Sequence, residues 1–323
     1  MGATPYPDES LVGFLFRLAR RRRLPTIRPL MSASSIVNLT TQPSGQQLRA
    51  LAEVASLEVG QLEAITYGPP NPAIGLFRGI SLPSNVFDGR GAAQRRVCPE
   101  CLREAPYHRA IWDLTFTSVC PVHRKVLMDT CRRCGQPLRW LGSDLTRCGH
   151  ADDGDLTQMT AEDVSEADVR ATRVVHGLLK DERYAADAEK ARALPPFRDL
   201  ADNHIVEFLY RLGLEAIGAR PKIFSTEQTG ELAWSAHLAL GRGLEAAERW
   251  PDGFFEVLDN MRRRSASTVA ASLRRYVWPV ERWLERLPGG MGHVIRAVVD
   301  HYKAAAKGAA EAAAAAPPGP RHR

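Results

Sequence analysis

All six cysteines of this 323-residue chain lie between Cys98 and Cys148, and four of them form two Cys-x-x-Cys pairs. Six cysteines are too few for a disulfide scaffold of this length, and in a reducing compartment such pairs indicate metal binding. The cysteine block therefore predicts structural metal sites in the middle of the chain.

The first predicted site combines Cys98-Pro-Glu-Cys101 with Cys120-Pro-Val-His123, two pairs separated by 18 residues. Zinc takes four nitrogen or sulfur ligands in a tetrahedron, and a two-residue spacer lets one tight turn direct both ligands of a pair at the same ion. Four protein ligands leave no open position for a substrate. We therefore predict a structural zinc ion here and not a catalytic one.

The second predicted site combines Cys131-Arg-Arg-Cys134 with Cys148-Gly-His150. The first pair has the usual spacing, whereas a single residue between Cys148 and His150 is unusual for zinc. We predict a second structural zinc ion held by these four residues.

The spacing leaves alternatives open at the second site. Asp152 or Asp153 could complete the ligand set in place of His150, or the site could be degenerate. A cross-braced arrangement, in which the first pair shares an ion with the third, also fits the spacing. Sequential pairing is preferred, because Cys131 follows His123 by only eight residues.

Alternation of Trp112, Leu114 and Phe116 with polar residues predicts a strand between the first two ligand pairs. Such a strand would suit the hairpin of a ribbon-like zinc module. The connection from Gly68 to Arg96 is rich in glycine and proline and is expected to be irregular.

The segment from Asp8 to Arg23 predicts a helix, with an apolar stripe that begins at Leu11 and a stop at Pro25. The helix ends in four consecutive arginines, Arg20, Arg21, Arg22 and Arg23. These residues either complement the helix dipole on a solvated surface or bind phosphate groups. We keep both interpretations, and the arginines are the candidate nucleic-acid-binding residues.

Two short helical patterns, Gln46 to Ala55 and Glu58 to Tyr67, are joined only by Ser56 and Leu57. The tight joint resembles a helix-turn-helix, whose second helix can enter a major groove. The second helix begins with an acidic residue and not with a base-reading one. A plain three-helix core is therefore the alternative.

The remaining chain predicts helices near 166–180, 199–213, 229–248, 252–264, 267–287 and 291–306. The expected fold is mainly α: an N-terminal helix-turn-helix-like region and linker (1–97), tandem zinc-ribbon-like modules with short β-hairpins (98–156), an all-helical C-terminal domain (157–306) and a disordered tail (307–323).

The net charge of +6 is unevenly distributed: residues 1–97 carry +5, residues 98–150 carry +3 and residues 151–323 carry −2. The basic half is compatible with a polyanionic partner. No apolar run approaches the roughly 18 residues of a membrane span, so a cytoplasmic protein without membrane contact is expected. We find no catalytic motif, and seven scattered histidines suit no site, so the chain is not expected to be an enzyme.

The order of several motifs is more specific than any one of them. In sequence they are Pro5-Tyr6-Pro7-Asp8-Glu9-Ser10-Leu11, Gly13-Phe14, Arg17-Leu18-Ala19, Cys98-Pro-Glu-Cys101-Leu102, Tyr107-His108, Trp112, Cys120-Pro-Val-His123, Leu127 and Cys131-x-x-Cys134-Gly135. Over about residues 5 to 156 this order resembles the TniQ family of transposition proteins. Trp250-Pro251-Asp252-Gly253-Phe254 is similar to a turn in the helical part of such proteins.

The resemblance implies a helix-turn-helix-bearing N-terminal region, zinc-finger modules and a role in choosing a transposition target. The implied partners are nucleic acid or a nucleoprotein target complex, an AAA+ ATPase, indirectly a transposase, and a second copy of the chain. Charge and zinc spacing alone support a zinc-containing helix-turn-helix transcriptional regulator equally well, and a zinc-stabilised scaffold without nucleic acid contact is a third reading. Neighbouring genes for a transposase and an AAA+ ATPase would favour the first.

Overall fold

A computed structural model describes residues 3–37, 43–68, 74–83, 95–150, 154–198, 200–218 and 231–263, with five single helical positions between 294 and 304. Within these ranges the chain is mainly helical, with two short antiparallel hairpins. This agrees with the fold class predicted from the sequence. The helix predicted over 267–287, most of the one over 291–306 and the tail lie outside the described residues.

Helix α1 spans Leu11–Arg21 and is followed by α2, Arg28–Ala33. The helix begins after Asp8, because the side chain of Ser10 accepts a hydrogen bond from the Gly13 amide and caps the N-terminus. It is buried along nearly its whole length, and only its arginines remain outside the core.

Helices α3 (Gly45–Ala55) and α4 (Val59–Glu63) form the predicted pair with a tight joint. Ser56 ends α3 in the left-handed region with φ 57°. The second helix is shorter than predicted, because the chain leaves it to bury Tyr67, whose hydroxyl donates to Asp113 Oδ2 at 2.6 Å.

Strands β1 (Ile74–Phe77) and β2 (Ile80–Pro83) form a hairpin inside the segment predicted to be irregular. That prediction was wrong for these residues. Arg78 and Gly79 both have positive φ, 51° and 76°, as a type I′ turn requires. The turn matches the right-handed twist of the strands, and Phe77 and Leu82 enter the core.

The central region contains α5 (Pro99–Glu104), a 3₁₀ turn over Ala110–Asp113, and a hairpin of β3 (Val119–Cys120) with β4 (Lys125–Val126). The strand predicted from alternation around Trp112 is wrong. Trp112 and the polar Asp113 are both buried, since Asp113 accepts the Tyr67 hydroxyl.

The C-terminal part contains α6 (Glu166–Leu178), α7 (Ala185–Arg192), α8 (Asp202–Ile217), α9 (Glu231–Glu248) and α10 (Asp252–Arg263). Four of these helices were predicted from apolar periodicity, with shifted ends. Helices α8 and α9 pack closely: a Cβ on Gly213 would lie 1.6 Å from the Ala239 carbonyl oxygen. Only glycine allows this approach of the two backbones.

The buried apolar residues form two cores. The first gathers α1 to α4 and also takes in Trp140 and Leu145 from the central region. The second runs from Tyr67 and the first hairpin through the central region into α6 to α10, and it includes Leu138. The short segment from Leu138 to Leu145 therefore contributes side chains to both cores.

Candidate metal centres

The first metal centre takes its ligands from two local structures. Cys98 is the N-cap of α5, and Pro99 at the first helical position directs the chain so that Cys101 lies in the first turn. Cys120 ends β3, and His123 lies in the turn that leads to β4. The ligand atoms of these four residues all lie within 4.8 Å of one another.

Within this cluster the imidazole faces the three sulfurs. His123 Nδ1 lies 3.5 Å from Cys98 Sγ, 3.3 Å from Cys101 Sγ and 3.5 Å from Cys120 Sγ. The sulfurs of Cys101 and Cys120 are 3.6 Å apart. The four atoms surround a common point, as the ligands of one metal ion do.

The electrostatics of the thiols fit a cation site. The hydrogen bond with Cys120 raises the pKa of Cys101 to about 12, and hydrogen bonds with Cys101 and Cys120 raise the pKa of Cys98. The same bonds lower the pKa of Cys120. Without a cation, the cluster thus favours one thiolate and opposes a second, because like charges this close repel each other. A bound metal ion would remove that opposition and release the protons.

Carboxylates lie behind the ligands of the first centre. His123 Nε2 is 2.9 Å from Glu104 Oε1, and Cys98 Sγ is 3.3 Å from Glu100 Oε2. A carboxylate on the far ring nitrogen fixes the tautomer and orientation of a metal-binding histidine. Both glutamates belong to α5, the helix that begins after Cys98 and contains Cys101.

The second centre brings together Cys131, Cys134 and Cys148, whose sulfurs lie within 4.8 Å of one another. The cysteines are thus grouped sequentially and not in a cross-braced pattern. None of the chain's six cysteines forms a disulfide.

His150, the predicted fourth ligand, is not part of this group. Its side chain is exposed, and its backbone amide donates to Cys148 Sγ at 3.4 Å. The alternative ligands Asp152 and Asp153 lie outside the described residues. The structure therefore brings together seven of the eight predicted ligands in two clusters that could hold metal ions.

The segment before α1 packs on the residues that follow α5. Ser10 Oγ lies 2.9 Å from Nδ1 of the buried His108, and the Tyr107 hydroxyl donates to Asp8 Oδ1 at 2.8 Å. The rings of Tyr6 and Tyr107 stack with centroids 4.3 Å apart. The N-terminal motif is thus held by Tyr107 and His108, which follow α5 in the chain.

A buried ion pair completes this junction. Glu9 is fully buried and accepts two hydrogen bonds from Arg17, at 2.9 Å from Nε and 2.6 Å from Nη2. The guanidinium of Arg17 lies 4.5 Å from the centre of the Tyr6 ring. Removing one partner would leave the other charge without compensation, which is strongly destabilising for a buried pair.

The four arginines at the end of α1 differ in their contacts. Arg20 forms an ion pair with Asp144 at 2.8 Å, and Arg22 donates to the Val54 carbonyl of α3. Arg21 and Arg23 are exposed, and no carboxylate among the described residues pairs with them. Two of the candidate nucleic-acid-binding residues therefore connect parts of the fold.

Residues 1–127 match the model of the TniQ family. This part of the chain is similar to the TniQ family. The match includes the N-terminal motif and all four ligands of the first metal centre, and it ends before Cys131. The resemblance seen in the sequence is confirmed over these residues.

No curated protein matches the chain. None of the described helices is long and apolar enough to cross a membrane.

Proposed function

We propose that this TniQ-family chain recognises a transposition target, either a DNA site or a nucleoprotein complex, and recruits an AAA+ ATPase and, through it, a transposase. The family match over residues 1–127 carries the proposal. The basic N-terminal half supports a polyanionic target, since residues 1–150 carry the whole positive excess of the chain. The role is one of binding and not of catalysis.

We propose zinc as the metal at the first centre. In a tetrahedron with zinc bond lengths, two sulfurs lie about 3.8 Å apart and a sulfur and a nitrogen about 3.5 Å apart. The observed separations are 3.6 Å between Cys101 and Cys120, and 3.3 to 3.5 Å between the sulfurs and His123 Nδ1. Zinc would stabilise the fold of this region and position the segment that receives the N-terminal motif.

At the second centre the proposed zinc ligands are Cys131, Cys134 and Cys148, with His150 as the fourth. Three of these side chains are already grouped. The imidazole of His150 is exposed, so it is the ligand that another donor could most readily replace. Asp152 and Asp153 remain the alternatives.

Co-purification tests the proposed function. The full-length chain, expressed with the products of the neighbouring genes, should retain an AAA+ ATPase on an affinity column, and deletion of the gene should abolish transposition in cells. Retention of no ATPase, together with specific binding of the chain to a promoter beside its own gene, would overturn the proposal in favour of a transcriptional regulator.

A second copy of the chain is the other proposed partner. Light scattering coupled to size-exclusion chromatography of the purified protein should give twice the mass of 35.7 kDa. A monomeric mass at all concentrations would contradict the proposed homodimer and would not affect the proposal of target recognition.

A further inference from the structure

We propose that the end of α1 and the second metal module together form one phosphate-binding face for duplex DNA, with Arg21, Arg23, Arg139 and Arg147 as its contacts. The module is defined here as residues 131–150. This inference deepens the proposed function, because it names the surface and the chemistry through which the target is held. Its test is a binding measurement that does not involve the ATPase.

Helix α1 supplies one side of the face. Eight of its eleven residues are buried, and the other three are Arg17, Arg20 and Arg21. These three follow the i, i+3, i+4 spacing, so they lie on one stripe of the helix. The only part of α1 that reaches the surface is thus entirely arginine.

The module lies beside the same helix. The ring of Trp140 is 5.2 Å from the ring of Phe16, and Phe16 is one helical turn before Arg20. Arg20 in turn pairs with Asp144. The chain from Trp140 to Asp144 therefore follows the helix toward its arginine end.

Two exposed arginines of the module adjoin these contacts. Arg139 directly precedes Trp140, and the amide of Arg147 donates to the Asp144 carbonyl at 3.2 Å. Both side chains are exposed. They place positive charge at both ends of the stretch that packs along α1.

A buried arginine adds charge beneath the surface. Arg95 Nη1 donates to the Leu145 carbonyl at 3.0 Å, and Nη2 donates to the Arg147 carbonyl. Burial lowers its pKa to about 10, so the guanidinium stays protonated at neutral pH. Arg95 therefore holds the module in shape and contributes to a positive potential that attracts phosphate.

Two carboxylates that the structure describes beside the module, Asp144 and Asp155, are already engaged. Asp144 accepts from Arg20 and from the amide and hydroxyl of Thr146. Asp155, which interacts electrostatically with Arg147, accepts from Thr157 in the same manner. Among the described residues the local positive charge thus exceeds the negative charge. Arginines are among the usual donors to DNA phosphates.

The test is the salt dependence of binding to a fluorescent duplex DNA of arbitrary sequence, measured by anisotropy with the full chain. Each lost phosphate contact lowers the log-log slope by about 0.9, so Arg21→Gln with Arg23→Gln should lower it by about 1.8. Arg139→Gln with Arg147→Gln should lower it by about the same amount.

Two control pairs sharpen the test. Lys190→Gln with Arg198→Gln removes two exposed charges from the helical C-terminal part and should leave the slope unchanged. The pair Arg20→Gln with Arg22→Gln should lower the slope less than the pair Arg21→Gln with Arg23→Gln. The side chains of Arg20 and Arg22 already have acceptors within the protein.

Three results would overturn the proposal. The first is an unchanged slope for Arg139→Gln with Arg147→Gln in a protein with wild-type zinc content and circular dichroism. The others are an equal loss of slope in the Lys190 and Arg198 control, and tighter binding of the full chain to an RNA duplex of the same sequence. None of these results bears on ATPase recruitment. Failure of the face and failure of the proposed function are therefore distinguishable.

Discussion

The two metal centres are made from similar sequence pairs but differ in completeness. The first has three cysteines and a histidine gathered around one point, with a carboxylate on the far side of the imidazole. The second has three grouped cysteines and an exposed histidine. The TniQ match covers the first and ends before the second. The N-terminal motif contacts Tyr107 and His108, which follow the helix that contains Cys101 of the complete centre.

The spacing of the last pair explains the difference. Between Cys120 and His123 two residues form the turn, and both side chains reach the same point. Between Cys148 and His150 there is only Gly149, and the His150 amide already donates to the sulfur of Cys148. The one-residue spacer is shorter than the spacers usual between paired zinc ligands, and the side chain of His150 stays exposed.

The largest expected effect comes from removing one cysteine at each centre. Cys101→Ser should unfold the central region, because structural zinc binding is part of the folding free energy and is comparable to the whole stability of a domain. Cys134→Ser should lower the far-ultraviolet circular dichroism of the protein less than Cys101→Ser does, because only three ligands are grouped at the second centre. Metal analysis should find close to two zinc ions per wild-type chain.

A larger loss of structure in Cys134→Ser than in Cys101→Ser would contradict this comparison of the two centres. Wild-type protein purified without chelator and containing no zinc would also contradict the assignment of both centres.

A smaller effect is expected from the two histidines. His123→Ala should weaken zinc binding at the first centre by at least a hundredfold in a chelator competition, because a ligand is lost from a closed tetrahedron. His150→Ala should weaken binding at the second centre by less than tenfold, since its exposed imidazole is readily replaced. Equal losses would show that the two centres are equally closed.

Glu104→Gln tests the support behind His123. Residues in such positions contribute about 10-fold to 100-fold in metal affinity. Glu104 is largely exposed, so we expect the lower value. Substitution of Glu53, an exposed glutamate of α3, is the control and should have no effect. A Co²⁺ spectrum unchanged in intensity and affinity in Glu104→Gln would exclude a positioning role.

The smallest effect concerns pH and the contact between the N-terminal motif and the first centre. Burial, and then the nearby Arg95 and Arg96, lower the pKa of His108 well below its usual value. Between the folded pKa and about 6.5 the unfolded chain binds a proton that the folded chain does not. Stability therefore falls as pH drops below about 6.5, by at most about 1.4 kcal/mol per pH unit for this group.

The variant His108→Gln should flatten this pH dependence of urea unfolding without removing it, because the buried His176 also has a lowered pKa. The zinc ligands add their own pH dependence to both proteins, which is why the difference between the two curves is the measurement. Identical slopes would show that folding does not change the protonation of His108 in this pH range.

Ligand spacing and helical periodicity predicted most of the fold and seven grouped ligands, because both are local properties of the chain. The missed elements have weak local signals. Helix α7 buries only Ala188 and Ala191, so it has no stripe of large apolar residues. The first hairpin turns at Arg78-Gly79, which is not among the most favoured turn pairs.

The partners of the site residues could not be predicted, because they are distant in sequence. Glu104 reaches His123 across 19 positions, and Asp144 reaches Arg20 across 124. No periodicity or spacing connects such pairs. The strand predicted around Trp112 failed for a related reason: its polar neighbour Asp113 is buried by a hydrogen bond from the distant Tyr67.

The segment from Leu138 to Leu145 acts as a strap, since it inserts side chains into both cores. If one core melted, the strap would lose its position, and the other core would lose either Leu138 or Trp140 with Leu145. Heating should therefore give a single calorimetric transition for both cores. A protease cut in this strap would weaken both halves together and would not release an intact domain.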